Sequence, residues 1–285
     1  MMQSRPSSFK LLPPVIKNLL IINILFYAAT WVINNRLQID LTDLLGLHFP
    51  LSEKFHFYQL FTYLFMHDPN DIFHLVFNMF ALWMFGYALE NLWGGKRFLF
   101  FYLVTGIGAG LVHYTIVYFE TKSTIDFVNA YIQHPTIEEF QHFVSNTFKP
   151  VSQDLVDHYN SMIPTKFTQA LRSNNVQDAL IISTDYMKTY KVDFLNMPLA
   201  IGASGAVFGI LVGFGMLFPN TELIMLFFPI PIKAKYAVVL YAGIELFFGV
   251  AQFSWDNVAH FAHLGGALFG FIIIKYWQKK AKTFY

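Results

Sequence analysis

Six apolar stretches constrain this chain more than any other feature: Pro14–Asn34, Ile72–Trp93, Phe98–Phe119, Leu199–Phe218, Tyr236–Phe253 and Val258–Trp277. Each approaches the ~20 residues a helix needs to cross the hydrocarbon layer of a bilayer. Lipid offers a backbone no hydrogen-bond partner, so a spanning segment must satisfy its own N–H and C=O groups by coiling into a helix. Composition agrees, with 55% hydrophobic and 13% charged residues, against about 25% charged in a soluble domain. The expected fold is all-α: a polytopic membrane bundle of six transmembrane helices embedded in a lipid bilayer. A net charge of +1 leaves no footprint for nucleic acid. The absence of cysteine excludes disulfides and thiolate metal sites. The opening MMQSRPSSFKLLPP lacks a small-residue cleavage site after a short apolar core, and reads as a cytoplasmic leader into the first span.

Lysine and arginine in the short flanks orient the bundle. Arg5, Lys10, Lys17, Lys96, Arg97, Lys233, Lys235, Lys275, Lys279, Lys280 and Lys282 fall on one side, and the short loops of the other hold only Arg36 and Lys54. Both termini are then cytoplasmic, the setting is the cell membrane, and the Leu37–Phe57 loop and Ser254–Asn257 turn face outward. The expected organisation is 1–119 (N-terminus and three spans), 120–198 (a polar insert outside the cytoplasm) and 199–285 (three spans and C-terminus). The first and last form one domain. Within the insert, Thr136-Ile-Glu-Glu139 fits a capping box, followed by Phe140, Phe143 and Val144 on one helical face. Val176–Tyr190 has helical spacing, and Pro135, Pro150 and Pro164 punctuate. A small bundle of amphipathic helices on the outer membrane face is expected.

The chemistry sits in two apolar segments, IGASGAVFG (Ile201–Gly209) and VAHFAHLGGALFG (Val258–Gly270). Ser204 and His263 each lie about five residues into a span from the outer side, at ~1.5 Å per residue. His74 and Asn78 occupy the first two turns of the second span, entered from the same side. Three spans therefore bring polar groups to one depth. A serine nucleophile needs a base to take its proton, and the imidazole of His263 is the candidate. His74 and Asn78, spaced i and i+4, share a face and suit an oxyanion. Gly202 and Gly205 let backbone approach backbone beside the hydroxyl. Gly266 and Gly270 make a smooth face for helix packing. The bland alternatives are that Ser204 is a small packing residue and that His74 and Asn78 make interhelical hydrogen bonds. His260, one turn before His263, is a supporting group. A metal set of His260, His263 and His74 is the weaker reading, since HExxH is absent; no metal and no cofactor is expected. Glu90 and Glu245 read as structural hydrogen-bonders, and His67 and His113 as interfacial.

Taken together, G-A-S-G at Gly202–Gly205, A-H-x-x-G-x-x-x-G at Ala262–Gly270 and H-x-x-x-N at His74–Asn78 resemble the rhomboid family of intramembrane serine proteases. The motif order and six-span topology are also similar, and the resemblance excludes the insert. It implies a Ser–His dyad without an acidic third member, with Ser204 as nucleophile and His263 as general base. His74, Asn78 and the Ser204 backbone N–H would form the oxyanion hole, and the substrates would be transmembrane proteins. Phe208 stands where the family often has a tyrosine packed on the catalytic imidazole. Tyr58-Gln59 stands where many members have Trp-Arg, and the insert replaces a short loop. Two other readings remain: a non-catalytic rhomboid-like protein that binds membrane helices, and a transporter moving protons through His and Glu. Oligomeric state is not encoded legibly.

Overall fold

The computed structural model describes residues 10–147, 163–225, 228–251 and 258–283. Arg5, Pro150 and the Ser254–Asn257 turn lie outside the described residues. The longer helices are α1 (Pro14–Leu37), α2 (Ile72–Trp93), α3 (Gly95–Gln133), α4 (Val176–Asn196), α5 (Ser204–Leu217), α6 (Ala234–Ala251) and α7 (His260–Thr283). The chain forms two compact units, one from residues 1–47, 56–114 and 198–285, the other from 48–55 and 115–197.

Among the described residues, α1, α2, α3 and α6 are long and apolar enough to cross a membrane. The fourth expected span is corrected. Its helix, α5, starts at Ser204 and not at Leu199, because Pro198–Ala200 is extended and Gly202 turns the chain at φ +124°. Ser204 therefore opens its helix instead of lying five residues inside it. The sixth expected span is α7, whose two histidines and Lys275 dilute its apolar character. The third is also corrected: α3 does not stop at Phe119 but continues to Gln133. Polar residues from Glu120 onward end the hydropathy, yet nothing there breaks a helix before Pro135.

In the first unit α5 is the central element. It packs against α7 and α2 and sets Gly205 and Gly209 against Ala109 and Thr105 of α3, and its small and aliphatic residues from Gly205 to Gly215 are largely buried. Glu90, near the end of α2, is buried and accepts from Val15 N–H (2.9 Å) and Ile16 N–H (2.8 Å). A carboxylate thus satisfies two orphan donors at the start of α1, whose N-cap is a proline with no side-chain cap. Trp93, Phe101 and Trp277 join α2, α3 and α7 in one aromatic cluster, with the Arg97 guanidinium 3.9 Å over the Trp277 ring. Between α5 and α6 runs an antiparallel hairpin, β1 (Glu222–Met225) and β2 (Phe228–Lys233), which pairs Glu222 with Lys233.

The second unit has a core of its own, built on Tyr131, Phe140, Phe143, Phe167, Tyr186 and Tyr190. Thr136 caps the short helix Ile137–His142, accepting from Glu139 N–H, and Phe140 and Phe143 face inward as their spacing predicts. Helix α4 is capped by Asn175, begins at Val176 as its spacing predicts, and runs beyond Tyr190 to Asn196. Tyr131 and Ser183 meet at 2.6 Å between its helices. Pro164 lies in a wide helical turn, Ile163–Phe167.

Candidate active site

Four elements of the first unit place the site: the start of α2, the start of α5, the start of α7 and the middle of α6. Because α5 begins at Ser204, its first-turn N–H groups have no intrahelical acceptor and point out of the helix. Gly202 sets up this start. Its φ of +124° is strained for any residue with a side chain. A Cβ built there would lie 2.9 Å from His74 Nε2 and 3.6 Å from Ser204 Oγ. Imidazole and hydroxyl thus flank the same glycine, whose N–H is anchored on the Tyr63 carbonyl at 2.9 Å.

Ser204 Oγ lies 2.8 Å from His263 Nε2. Helix α7 reaches this distance by backbone contact. A Cβ on Gly266 would overlap the Gly205 carbonyl, and one on Gly270 would lie 2.8 Å from the Gly209 carbonyl. On the other side of α5, a Cβ on Gly205 would come 2.5 Å from Ala109 Cβ. Any side chain at these positions would push the helices apart. Phe208, one turn after the serine, stacks on the His263 ring with centroids 4.5 Å apart and planes 7° from parallel. Its ring fixes the plane of the imidazole without a hydroxyl.

The remaining His263 nitrogen differs from the expected arrangement. Nδ1 lies 2.8 Å from Glu245 Oε2, and His260 Nδ1 lies 2.7 Å from the same oxygen. A carboxylate on α6 therefore faces the imidazole opposite the serine, where the resemblance implied no acidic member. Glu245 is the residue that sequence reasoning left among structural hydrogen-bonders. Its signal was present: a lone acid deep in an apolar stretch, with two histidines 15 and 18 residues further along the next helix. Glu245, His260 and His263 also bring potential ligand atoms within 4.8 Å of one another and so could hold a metal ion. Here both Nδ1 atoms are directed at Oε2 itself.

Asn78 is buried, and its amide donates to the His74 carbonyl at 2.8 Å, which engages one of its two N–H groups within α2. His67 is fully buried, with its ring edge-on to His74 at 5.0 Å. His113 is also mostly enclosed, with Nε2 3.2 Å from the Leu199 carbonyl just ahead of the serine. The loop after α1 is held where Trp-Arg is replaced. Gln59 is buried and donates to the Leu44 carbonyl at 3.2 Å, and Thr62 donates to the Leu45 carbonyl at 2.7 Å.

Comparison with known proteins points the same way as the motifs. The family model described as "Rhomboid domain" matches residues 54–125 and 172–279, stretches that contain His74, Ser204, Glu245 and His263. The chain is 26% identical over 244 residues to "Rhomboid protein 1, mitochondrial" of Saccharomyces cerevisiae. That alignment covers 85% of this chain and 63% of the yeast protein's length.

Proposed function

Because this chain belongs to the rhomboid family, we propose that it is an intramembrane serine endopeptidase that cuts transmembrane segments of membrane-protein substrates. The observation that carries the reading is the 2.8 Å separation of Ser204 Oγ and His263 Nε2. Ser204 attacks the scissile carbonyl, and His263 takes the hydroxyl proton and returns it to the leaving nitrogen. The oxyanion is met by the Ser204 backbone N–H at the positive end of α5, by His74 beside Gly202, and by the second amide N–H of Asn78. Water enters from outside, and the substrate helix unwinds locally, since a helical peptide bond is shielded and hydrogen-bonded.

In this reading six helices span the bilayer, α5 and α7 included. Both termini are cytoplasmic and the site opens to the extracytoplasmic side. Support comes from the bias of lysine and arginine toward one set of flanks. Residues 1–119 and 199–285 form the catalytic domain, and 120–198 an inserted helical subdomain, a division supported by the separate core around Phe140.

The test is covalent labelling of purified protein with a fluorophosphonate probe, together with cleavage of a transmembrane reporter. Ser204→Ala should abolish both, and His263→Ala should abolish cleavage. The double variant should be no worse than either single one, because members of one catalytic unit are not additive. Robust turnover by Ser204→Ala would sink the reading. A folded protein that neither labels nor cleaves points to a membrane-helix binder instead.

A further inference from the structure

We propose that Glu245 is a positioning residue that turns the Ser204–His263 pair into a serine–histidine–carboxylate triad, with His260 holding the carboxylate in place. This rests on the reading of Ser204 and His263 as nucleophile and base. A buried carboxylate in an apolar helix demands hydrogen-bond partners, and His260 alone would supply one. Oε2 instead takes both imidazoles, His260 Nδ1 at 2.7 Å and His263 Nδ1 at 2.8 Å.

The consequence is chemical. An ionised carboxylate can only accept hydrogen bonds. Facing one, His263 carries its hydrogen on Nδ1 and leaves the Nε2 lone pair toward Ser204 Oγ, 2.8 Å away. That tautomer is the one able to take the serine proton. As the Oγ–C bond forms, the proton passes from Oγ to Nε2. It moves on to the leaving nitrogen as the C–N bond breaks. Glu245 accepts no proton; it holds Nδ1–H and offsets the charge on the imidazolium. His260, bound to the same oxygen and stacked near Phe248 (centroids 5.7 Å), keeps that oxygen from turning away.

The experiment compares Glu245→Gln, Glu245→Asp and His260→Ala with wild type in a transmembrane reporter assay, reading kcat and KM separately, with thermal unfolding of each variant alongside. Glu245→Gln offers Nδ1 an N–H donor and favours the wrong tautomer. Its kcat should fall by about 10² to 10⁴ with KM nearly unchanged. Glu245→Asp keeps an acceptor and should recover at least about tenfold of that loss. His260→Ala should fall between wild type and Glu245→Gln. A folded Glu245→Gln enzyme with wild-type kcat overturns the proposal, as does a kcat that merely tracks the folded fraction across the variants. Should Glu245→Gln fail to fold, nitrogen-15 NMR of histidine-labelled wild type decides. Hydrogen on His263 Nδ1 supports the triad; hydrogen on Nε2 in the neutral ring refutes it. Chelator-sensitive activity restored by zinc also refutes it, in favour of a metal on Glu245, His260 and His263. Activity of Ser204→Ala marks failure of the protease reading itself; an inactive Ser204→Ala beside a fully active Glu245→Gln marks failure of the triad alone.

Discussion

The ring of Phe208 lies flat against the imidazole of His263, 4.5 Å between centroids and 7° between planes. Phe208 is one turn after Ser204 on α5, so one helix supplies both the hydroxyl and the surface on which the proposed base rests.

Removing that surface should loosen the base without unfolding the protein. Phe208→Leu keeps apolar bulk but loses the stack, a contact worth about 0.5–1.5 kcal/mol. We expect kcat/KM for a transmembrane reporter to fall roughly 2- to 10-fold, with Phe208→Tyr near wild type. Equal activity of the Leu variant and wild type would show that the stack is incidental.

Gly266 and Gly243 make opposite predictions. A Cβ on Gly266 overlaps the Gly205 carbonyl, whereas one on Gly243 of α6 meets nothing within 4 Å. Gly266→Ala should force α5 and α7 apart and abolish serine labelling. Gly243→Ala should be neutral or raise Tm, since alanine is favoured over glycine in a helix by about 1 kcal/mol. Thermal unfolding in detergent and probe labelling read both.

Gly202→Ala combines a strained φ with a Cβ 2.9 Å from His74 Nε2. Strain of this kind costs on the order of 1–3 kcal/mol. We expect a lower Tm and a labelling rate depressed beyond what the folded fraction explains. A variant that labels at the wild-type rate would mean that the start of α5 tolerates a different backbone path.

Glu90→Ala removes the acceptor for Val15 and Ile16 N–H. Hydrogen bonds to charged groups contribute about 1.5–3 kcal/mol, so stability should drop by that order. The labelling rate of the folded fraction should stay unchanged, since Glu90 is remote from the chemistry. Selective loss of labelling would give Glu90 a role beyond capping α1.

Phe140→Ala tests the second unit. The ring is buried against Phe167 (4.8 Å) and Tyr186 (5.3 Å), and such truncations cost about 3–5 kcal/mol. We expect the 120–198 insert to become protease-sensitive while Ser204 still labels. Replacing Lys122–Asn196 with Gly/Ser linkers of several lengths should likewise preserve labelling. Folded linker variants that all fail to label would place the insert within the active site.

Much of this was legible because helical periodicity and motif spacing are local. Thr136 announces its cap, Val176–Tyr190 its helix, and the two motifs single out Ser204 and His263, which meet at 2.8 Å. Helix ends were harder. Hydropathy falls after Phe119, but a backbone ladder runs on through Gln133 wherever no proline or glycine stops it. In the other direction, Leu199 begins the apolar run while Gly202 delays the helix to Ser204. The β1–β2 hairpin hides in a proline-rich apolar stretch that has no clean alternation. Glu245 could be recognised as costly, yet which groups repay it depends on how α6 and α7 pack, and no spacing within either helix states that.

The seam of Gly205, Gly209, Gly266 and Gly270 has a consequence for how such a protein can change over generations. Main chain rests on main chain there, so the gap between hydroxyl and imidazole is not tuned by the size of intervening side chains. Exposed apolar residues of α7, such as Leu268, Phe271 and Ile272, can drift among apolar types with little mechanical effect on that gap. Tolerance on that exposed face and intolerance at Gly266 and Gly270 are then two faces of one contact, and a library of random variants selected for activity should accept apolar changes on the exposed face of α7 while rejecting any side chain at these two glycines.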